Sequence, residues 1–201
     1  PQWITCISSD DVARTVRHAL DAGGKVVMEA DRDETGGITL IQDTVGAVFG
    51  VFQRDQFGGA HLFNQPISLT FNLLMTRHPA SVKQFYTRVF GWEARDRKIG
   101  GVALTVFFHG GRGIAGAMAM DEQWALSIPS HWQVSFAVND ADALASHAGE
   151  LRGEALPVTS TPFGRSGLIT DPQGAMFSLS QQTPEVRAAA QTPEGVLTPL
   201  I

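Results

Sequence analysis

Strand-like alternation and helix-like spacing take turns along this chain, and they do so three times. In "HWQVSFAV" (131–138), Trp132, Val134, Phe136 and Val138 share one face while His131, Gln133, Ser135 and Ala137 share the other, which is the two-residue period of a strand. Asp140 then offers a helix N-cap, Leu144, Ala148 and Leu151 recur at helical spacing, and Gly153 marks the stop. Short apolar runs punctuated by Gly, Pro and Asp complete this unit, a strand-and-turn composition. The start of the chain repeats the order. Asp10 or Asp11 caps a helix striped with Val12, Val16 and Leu20, Gly23-Gly24 end it, and short strands follow. Between these units, "ISLTFNLLMT" (67–76) reads as a strand. "RHPASVKQFYTRVFGW" (77–92) reads as a helix with Pro79 in its first turn, Val82, Phe85, Val89 and Phe90 at helical spacing, and Gly91 as its stop. "VALTVFFHGGRGIAGAMAM" (102–120) reads as a hairpin.

The units are copies of one another. "LIQDTVGAVFGVFQ" (40–53) and "LITDPQGAMFSLSQ" (168–181) share Leu-Ile, an Asp-x-x-Gly-Ala turn, a following Phe and a closing Gln. At nearly the same offset Trp3 falls on Trp132, Asp11 on Asp140, His18 on His147 and Gly24 on Gly153. Self-similarity at a fixed period is the mark of a repeated supersecondary unit. The fold expected is α+β, built of repeated βαβββ modules.

A βαβββ module repeated in pairs, with "FYTRVFGW" (85–92), "HWQVSFAVNDADA" (131–143) and "DPQGAMFSLS" (171–180), resembles the vicinal-oxygen-chelate superfamily of glyoxalase I, extradiol dioxygenases and bleomycin-resistance proteins. Within it the chain is similar to tandem-domain actinobacterial glyoxalase-like proteins, which hold four modules. The likeness runs from about residue 3 to residue 182. It implies that two modules join their strands into curved mixed sheets around a cleft. Three modules are visible here. Residues 1–55 are therefore expected to be the second half of an N-terminal domain without its leading module, 56–66 a linker, and 67–182 a complete domain. Residues 183–201 are expected to be an extended tail docked in part through Val196 to Ile201.

The resemblance also implies where a metal would sit. Metal-dependent members place His or Gln, Glu, His and Glu on the first and last strands of each module, facing the cleft. In this sequence those places fall on Phe71, near Ala117, and on Gln133 and Ser178, with Ile4 and Gly50 as their counterparts in the first module. A catalytic divalent metal needs about three oxygen, nitrogen or sulfur ligands from the protein. Phe71 and Ala117 offer none, so no metal and no other cofactor is expected.

Composition narrows the remaining classes. With 201 residues, 43% hydrophobic and 17% charged, this is a globular chain. Its net charge of −5 and the lack of a Lys/Arg cluster remove nucleic acid as a partner. No apolar run approaches the roughly 18 residues of a membrane-spanning helix. A single cysteine, Cys6, excludes an internal disulfide and a cysteine-based zinc cage, and suits a reducing cytoplasm, where it is expected as a buried, inert thiol.

The candidate chemistry is sparse. "GRGIAG" (111–116) has dinucleotide-fingerprint spacing, but no helix pattern follows it, so it reads as a glycine-rich hairpin. "EADRDET" (29–35) reads as a solvated acidic loop. His18 and His147 each precede an acid by three residues, Asp21 and Glu150, as in solvated helix pairs. What remains is an apolar cleft. Phe71 and Leu73 on one strand, Met118 and Met120 on another, and Trp124 in the next loop would surround a ligand, though Met118 and Met120 are equally readable as core. His131, Gln133, Ser135 and Ser178 would supply polar anchors. The reading is a protein that binds an apolar or aromatic small molecule without a metal, as a monomer or homodimer. The alternatives are a lyase, isomerase or dioxygenase-type enzyme using a non-standard metal site near His131, and a module that pairs its sheet edges with another chain.

Overall fold

The computed structural model describes residues 1–29, 37–54, 59–122 and 124–190. Among these residues the chain forms three modules of one plan. The first contains β1 (Cys6–Ser9), α1 (Val12–Asp21), β2 (Lys25–Glu29), β3 (Ile38–Gln42) and β4 (Val48–Gln53). The second contains β5 (Ser68–Leu69), β6 (Leu73–Thr76), α2 (Pro79–Phe90), β7 (Glu93–Ile99), β8 (Val102–His109) and β9 (Arg112–Ala119). The third contains β10 (His131–Gln133), β11 (Ser135–Ala137), α3 (Ala141–Ala148), β12 (Glu154–Ala155), β13 (Thr159–Thr161), β14 (Gly164–Thr170) and β15 (Met176–Gln182), and α4 (Pro184–Ala190) follows it. No helix among the described residues is long and apolar enough to cross a membrane.

Local chemistry sets the helix ends. Asp11 and Asp140 sit in extended backbone, and their carboxylates accept from the Arg14 and Ala143 amides, which the first helical turn would otherwise leave unpaired. Gly91 ends α2 at φ 67, a left-handed conformation that costs a glycine little. The stripes are less tidy than the spacing predicts. Val12, Thr15 and Ala19 are buried in α1, while Leu20 is 50% exposed; in the third module Leu144 and Leu151 face outward and Ala141 and Ala148 face in. Small residues win these places because the helices lie close against neighbouring elements, α1 against α2 and α3 against β14.

In every module the last strand returns parallel to the first. Cys6 lies opposite Gly50, Leu73 opposite Gly116, and Ser135 opposite Ser178. The first strands of the second and third modules are each interrupted, at Thr70–Asn72 and at Val134. The two halves then pair separately: β6 runs antiparallel to β10, and β5 antiparallel to β11. The sheets are therefore β10-β6-β9-β8-β7 and β12-β14-β15-β11-β5, interlocked at their centre. Asn72 bridges the interruption: its Nδ2 donates to Thr5 Oγ1 at 3.2 Å and its Oδ1 accepts from the Ser135 amide at 3.2 Å. Backbone groups released by a broken ladder need such partners.

The first module shares its core with the second and with β10 of the third. Ile7, Val12, Ile41, Phe49 and Val51 pack with Leu74, Val82, Phe85, Tyr86 and Trp132 in one cluster. At its centre the Tyr86 hydroxyl donates to Asp43 Oδ2 at 3.1 Å and accepts from Trp132 Nε1 at 2.9 Å. Asp43 Oδ1 in turn accepts from the Val45 and Ala47 amides. Burial pushes the Tyr86 phenol well above its ordinary value, and it raises Asp43 as well. The opposite face of this first sheet is open around Gly50, where Cys6 is exposed and Ile38 is 38% exposed. The Cys6 thiol is thus not the buried one expected, although partial burial of its sulfur against Gly50 still raises its pKa.

The tail departs from an extended reading. Pro184–Ala190 is helical, with Pro184 in the first turn and Thr183 Oγ1 accepting from the Val186 amide. Val196 to Ile201, and most of the acidic stretch 29–35, lie outside the described residues. His147 pairs with Glu150 at 2.7 Å on the surface, whereas His18 turns to the Val89 carbonyl of α2 at 3.4 Å instead of Asp21.

Candidate functional site

The second and third modules enclose a cavity of about 770 Å³. Alternation along the strands decides which side chains enter it. Leu73 and Met75 of β6 point in while Leu74 is fully buried in the core; Met118 of β9 points in while Ala117 faces the core. The place expected near Ala117 is thus occupied by Met118, one residue on, because Met75 and Met118 are the paired neighbours on that face. Gly116 leaves room for an aromatic ring: a Cβ there would stand 2.8 Å from Phe71 Cε1. Residues 156–168 form the opposing wall, and Val186 of α4 closes part of the margin. The tips of the two modules meet at Gly100, at φ 55, where a Cβ would lie 2.2 Å from that of Pro162. Phe163, beside Pro162, packs with Phe71, Leu104 and Phe108.

Polar groups gather on the floor, where the inner strands interlock. Ser135 and Ser178 share a hydrogen bond of 2.6 Å, Gln182 Nε2 donates to Thr70 Oγ1 at 2.9 Å, and Thr70 donates to Asn64 Oδ1 at 2.6 Å. Gln133 differs from these. The residue is 8% exposed and lines the cavity; no described residue hydrogen-bonds its side-chain amide, and since no buried side-chain polar atom among the described residues lacks a partner, that amide opens onto the cavity. An occupant that covered this amide without bonding to it would cost on the order of 1–3 kcal/mol. Arg165 is the one charged side chain among the described lining residues, and it is engaged: its Nη2 donates to Asp142 Oδ1 at 2.6 Å and its Nη1 to Ser160. That ion pair raises Arg165 and lowers Asp142.

Of the residues singled out from sequence, Phe71, Leu73, Met118, Trp124, Gln133 and Ser178 all reach the cavity. His131 does not line it. Its Nδ1 lies 2.9 Å from the Pro129 carbonyl, which draws the ring to the rim, with its centre 6.4 Å from that of Trp124. Met120 is buried outside the cavity. The positions that the resemblance reserves for metal ligands present Phe71, Met118, Gln133 and Ser178, with Ser178 already bonded to Ser135. One amide and one serine hydroxyl, with no carboxylate, imidazole or thiolate among them, do not fit a divalent ion, which needs charged or strongly donating ligands to offset its dehydration. Among the described residues no group of three His, Cys, Asp or Glu comes together.

The role of Arg77 had no signal in the sequence. Its guanidinium donates to three backbone carbonyls, those of Ile128 at 2.8 Å, Ala125 at 2.9 Å and Trp124 at 3.2 Å. It thereby holds the segment that carries Trp124 to the cavity. Charge-assisted bonds of this kind are among the stronger ones. Arg77→Met is expected to speed proteolytic cleavage within residues 121–130 by about tenfold, equivalent to about 1.4 kcal/mol of local opening. Unchanged cleavage in a limited-digestion time course would show that other contacts hold the segment.

Comparison with known proteins agrees with this architecture. The profile described as Glyoxalase/Bleomycin resistance protein/Dioxygenase superfamily matches residues 67–179. CFP32 of Mycobacterium tuberculosis (strain CDC 1551 / Oshkosh), provisionally named a glyoxylase, is 35% identical over 189 residues, spanning 92% of this chain and 71% of that protein. The anthracycline biosynthesis protein DnrV of Streptomyces peucetius is 31% identical over 191 residues, 94% of this chain and 68% of its own length. Among solved structures, the 2,2',3-trihydroxybiphenyl 1,2-dioxygenase of Sphingomonas wittichii strain RW1 superposes with a TM-score of 0.55 at 14% identity, covering 88% of this chain and 70% of that one. At that identity the likeness is one of fold.

Proposed function

The chain belongs to the Glyoxalase/Bleomycin resistance protein/Dioxygenase superfamily, and from that premise we propose that it binds an apolar or aromatic small molecule in the cavity between its second and third modules, without a metal, in the cytoplasm. The observation that carries this reading is a large apolar cavity on whose wall the Gln133 amide opens without a partner among the described residues. Sites for small molecules combine mainly apolar walls with a few placed polar groups, in volumes of roughly 300–1,000 Å³. Here Phe71, Leu73, Met118 and Trp124 provide the contact area and Gln133 and Ser178 the polar anchors. The relative named for anthracycline biosynthesis points to fused aromatic rings, which suit such walls. A lyase, isomerase or dioxygenase chemistry would require a metal or a proton-transfer group on the wall, and Arg165 is the one ionisable side chain among the described lining residues.

The test is a titration with 9-phenanthrol, a neutral three-ring phenol, followed by protein fluorescence. Saturable binding of one molecule per chain is expected. Met118→Trp, which adds bulk inside the cavity, should weaken it by about 5–150-fold, the equivalent of roughly 1–3 kcal/mol of overpacking. Unsaturable binding, or binding indifferent to Met118→Trp, would contradict the reading.

A further inference from the structure

We infer that the cavity selects uncharged ligands that carry a hydroxyl or carbonyl oxygen on one edge of an apolar ring system, seated edge-down on Gln133 and the Ser135–Ser178 pair. The inference rests on the binding reading above and adds what the ligand must carry. The charge argument comes first. Apart from Arg165, every described side chain on the cavity wall is neutral, and Arg165 is already neutralised by Asp142. An anion placed on the floor would lose its water and meet no free cation, a penalty far larger than one hydrogen bond repays. A cation would find no carboxylate there either.

The hydrogen-bonding argument follows from the same floor. Gln133 offers an N–H₂ donor and a carbonyl acceptor side by side, and no described residue uses them. In the serine pair one hydroxyl donates to the other, so the second keeps its own proton to give. The floor therefore presents both donors and acceptors without charge, which matches a hydroxyl or carbonyl oxygen. Thr70 and Gln182, by contrast, are committed to each other and to Asn64. A bare hydrocarbon would bury the Gln133 amide unsatisfied, which is the cost that makes polar sites reject apolar analogues.

Three probes of one ring skeleton separate the cases at pH 7: phenanthrene, 9-phenanthrol and phenanthrene-9-carboxylate, measured by equilibrium dialysis against the full chain. The phenol should bind about tenfold tighter than the hydrocarbon, and the carboxylate at least about a hundredfold weaker than the phenol. In Gln133→Leu, shown by thermal melting to remain folded, the phenol's advantage over the hydrocarbon should vanish while the hydrocarbon binds at least as well as before. A carboxylate that binds as tightly as the phenol, or a phenol advantage that survives in Gln133→Leu, would overturn the inference and leave the cavity-binding reading standing. Failure of all three probes to bind would remove both.

Discussion

Replacing Tyr86 by alanine should lower the stability of the whole chain by about 3–5 kcal/mol, the range for emptying a buried aromatic position. Tyr86 is fully buried and belongs to a ring cluster that draws on different parts of the sequence. Its ring stacks near Phe90 and Trp92, with centroids 6.2 and 5.8 Å away, and meets Trp132 edge-on at 5.4 Å. Truncation would leave a void beneath α1 and α2, and would also strand Asp43 Oδ2 and the Trp132 N–H without their shared partner. Tyr86→Phe isolates the second effect and should cost about 1–3 kcal/mol, because two buried polar groups lose one hydroxyl. The pH dependence has a defined sign. Burial holds the folded phenol well above its ordinary value of 10.0, so its contribution is intact below pH 10 and is lost as pH rises further and the unfolded chain ionises. Urea denaturation of the parent and of both variants at pH 7 and above pH 10 reads these effects, the alkaline loss being expected in the parent and reduced in both variants. A Tyr86→Phe protein as stable as the parent would mean that Asp43 finds water instead.

The second large effect concerns the ligand. Phe71→Ala should weaken 9-phenanthrol binding by about 1–3 kcal/mol, the burial value of one large apolar side chain. The ring is half-buried, laid over Gly116 and packed with Leu104, Phe108 and Phe163, so it belongs to the cavity wall more than to the main core. Its loss should therefore show in the dissociation constant more than in the melting temperature. A variant that melts much earlier yet binds with unchanged affinity would assign Phe71 to packing alone.

How far the sequence foretells this molecule depends on the range of the interactions involved. The caps at Asp11 and Asp140 and the stop at Gly91 are legible because each acts within one turn of chain. The repeated module is legible because its copies share turn residues such as Asp43 and Asp171, which accept from amides two and four residues on in both copies. Alternation places Gln133 and Ser135 correctly on one face, but it cannot show that Val134 interrupts the strand or that Asn72 bridges the break, since both depend on pairing with a distant strand. The same limit explains the shift from Ala117 to Met118, because a slip of one residue exchanges the faces of a strand. His131 carries the right parity for the cavity and is drawn aside by a carbonyl two residues back. The Tyr86–Asp43–Trp132 cluster and the wall at 156–168 bring together residues with no local signature, and no periodicity reports them.

The central claim, that the cavity binds its ligand without a metal, is tested most directly by titrating 9-phenanthrol into protein dialysed against EDTA, before and after adding Mn²⁺, Fe²⁺, Ni²⁺ or Zn²⁺. The donor set of Phe71, Met118, Gln133 and Ser178 predicts the same one-to-one affinity in every case. Binding that disappears on chelation and returns with one stoichiometric cation would contradict the account.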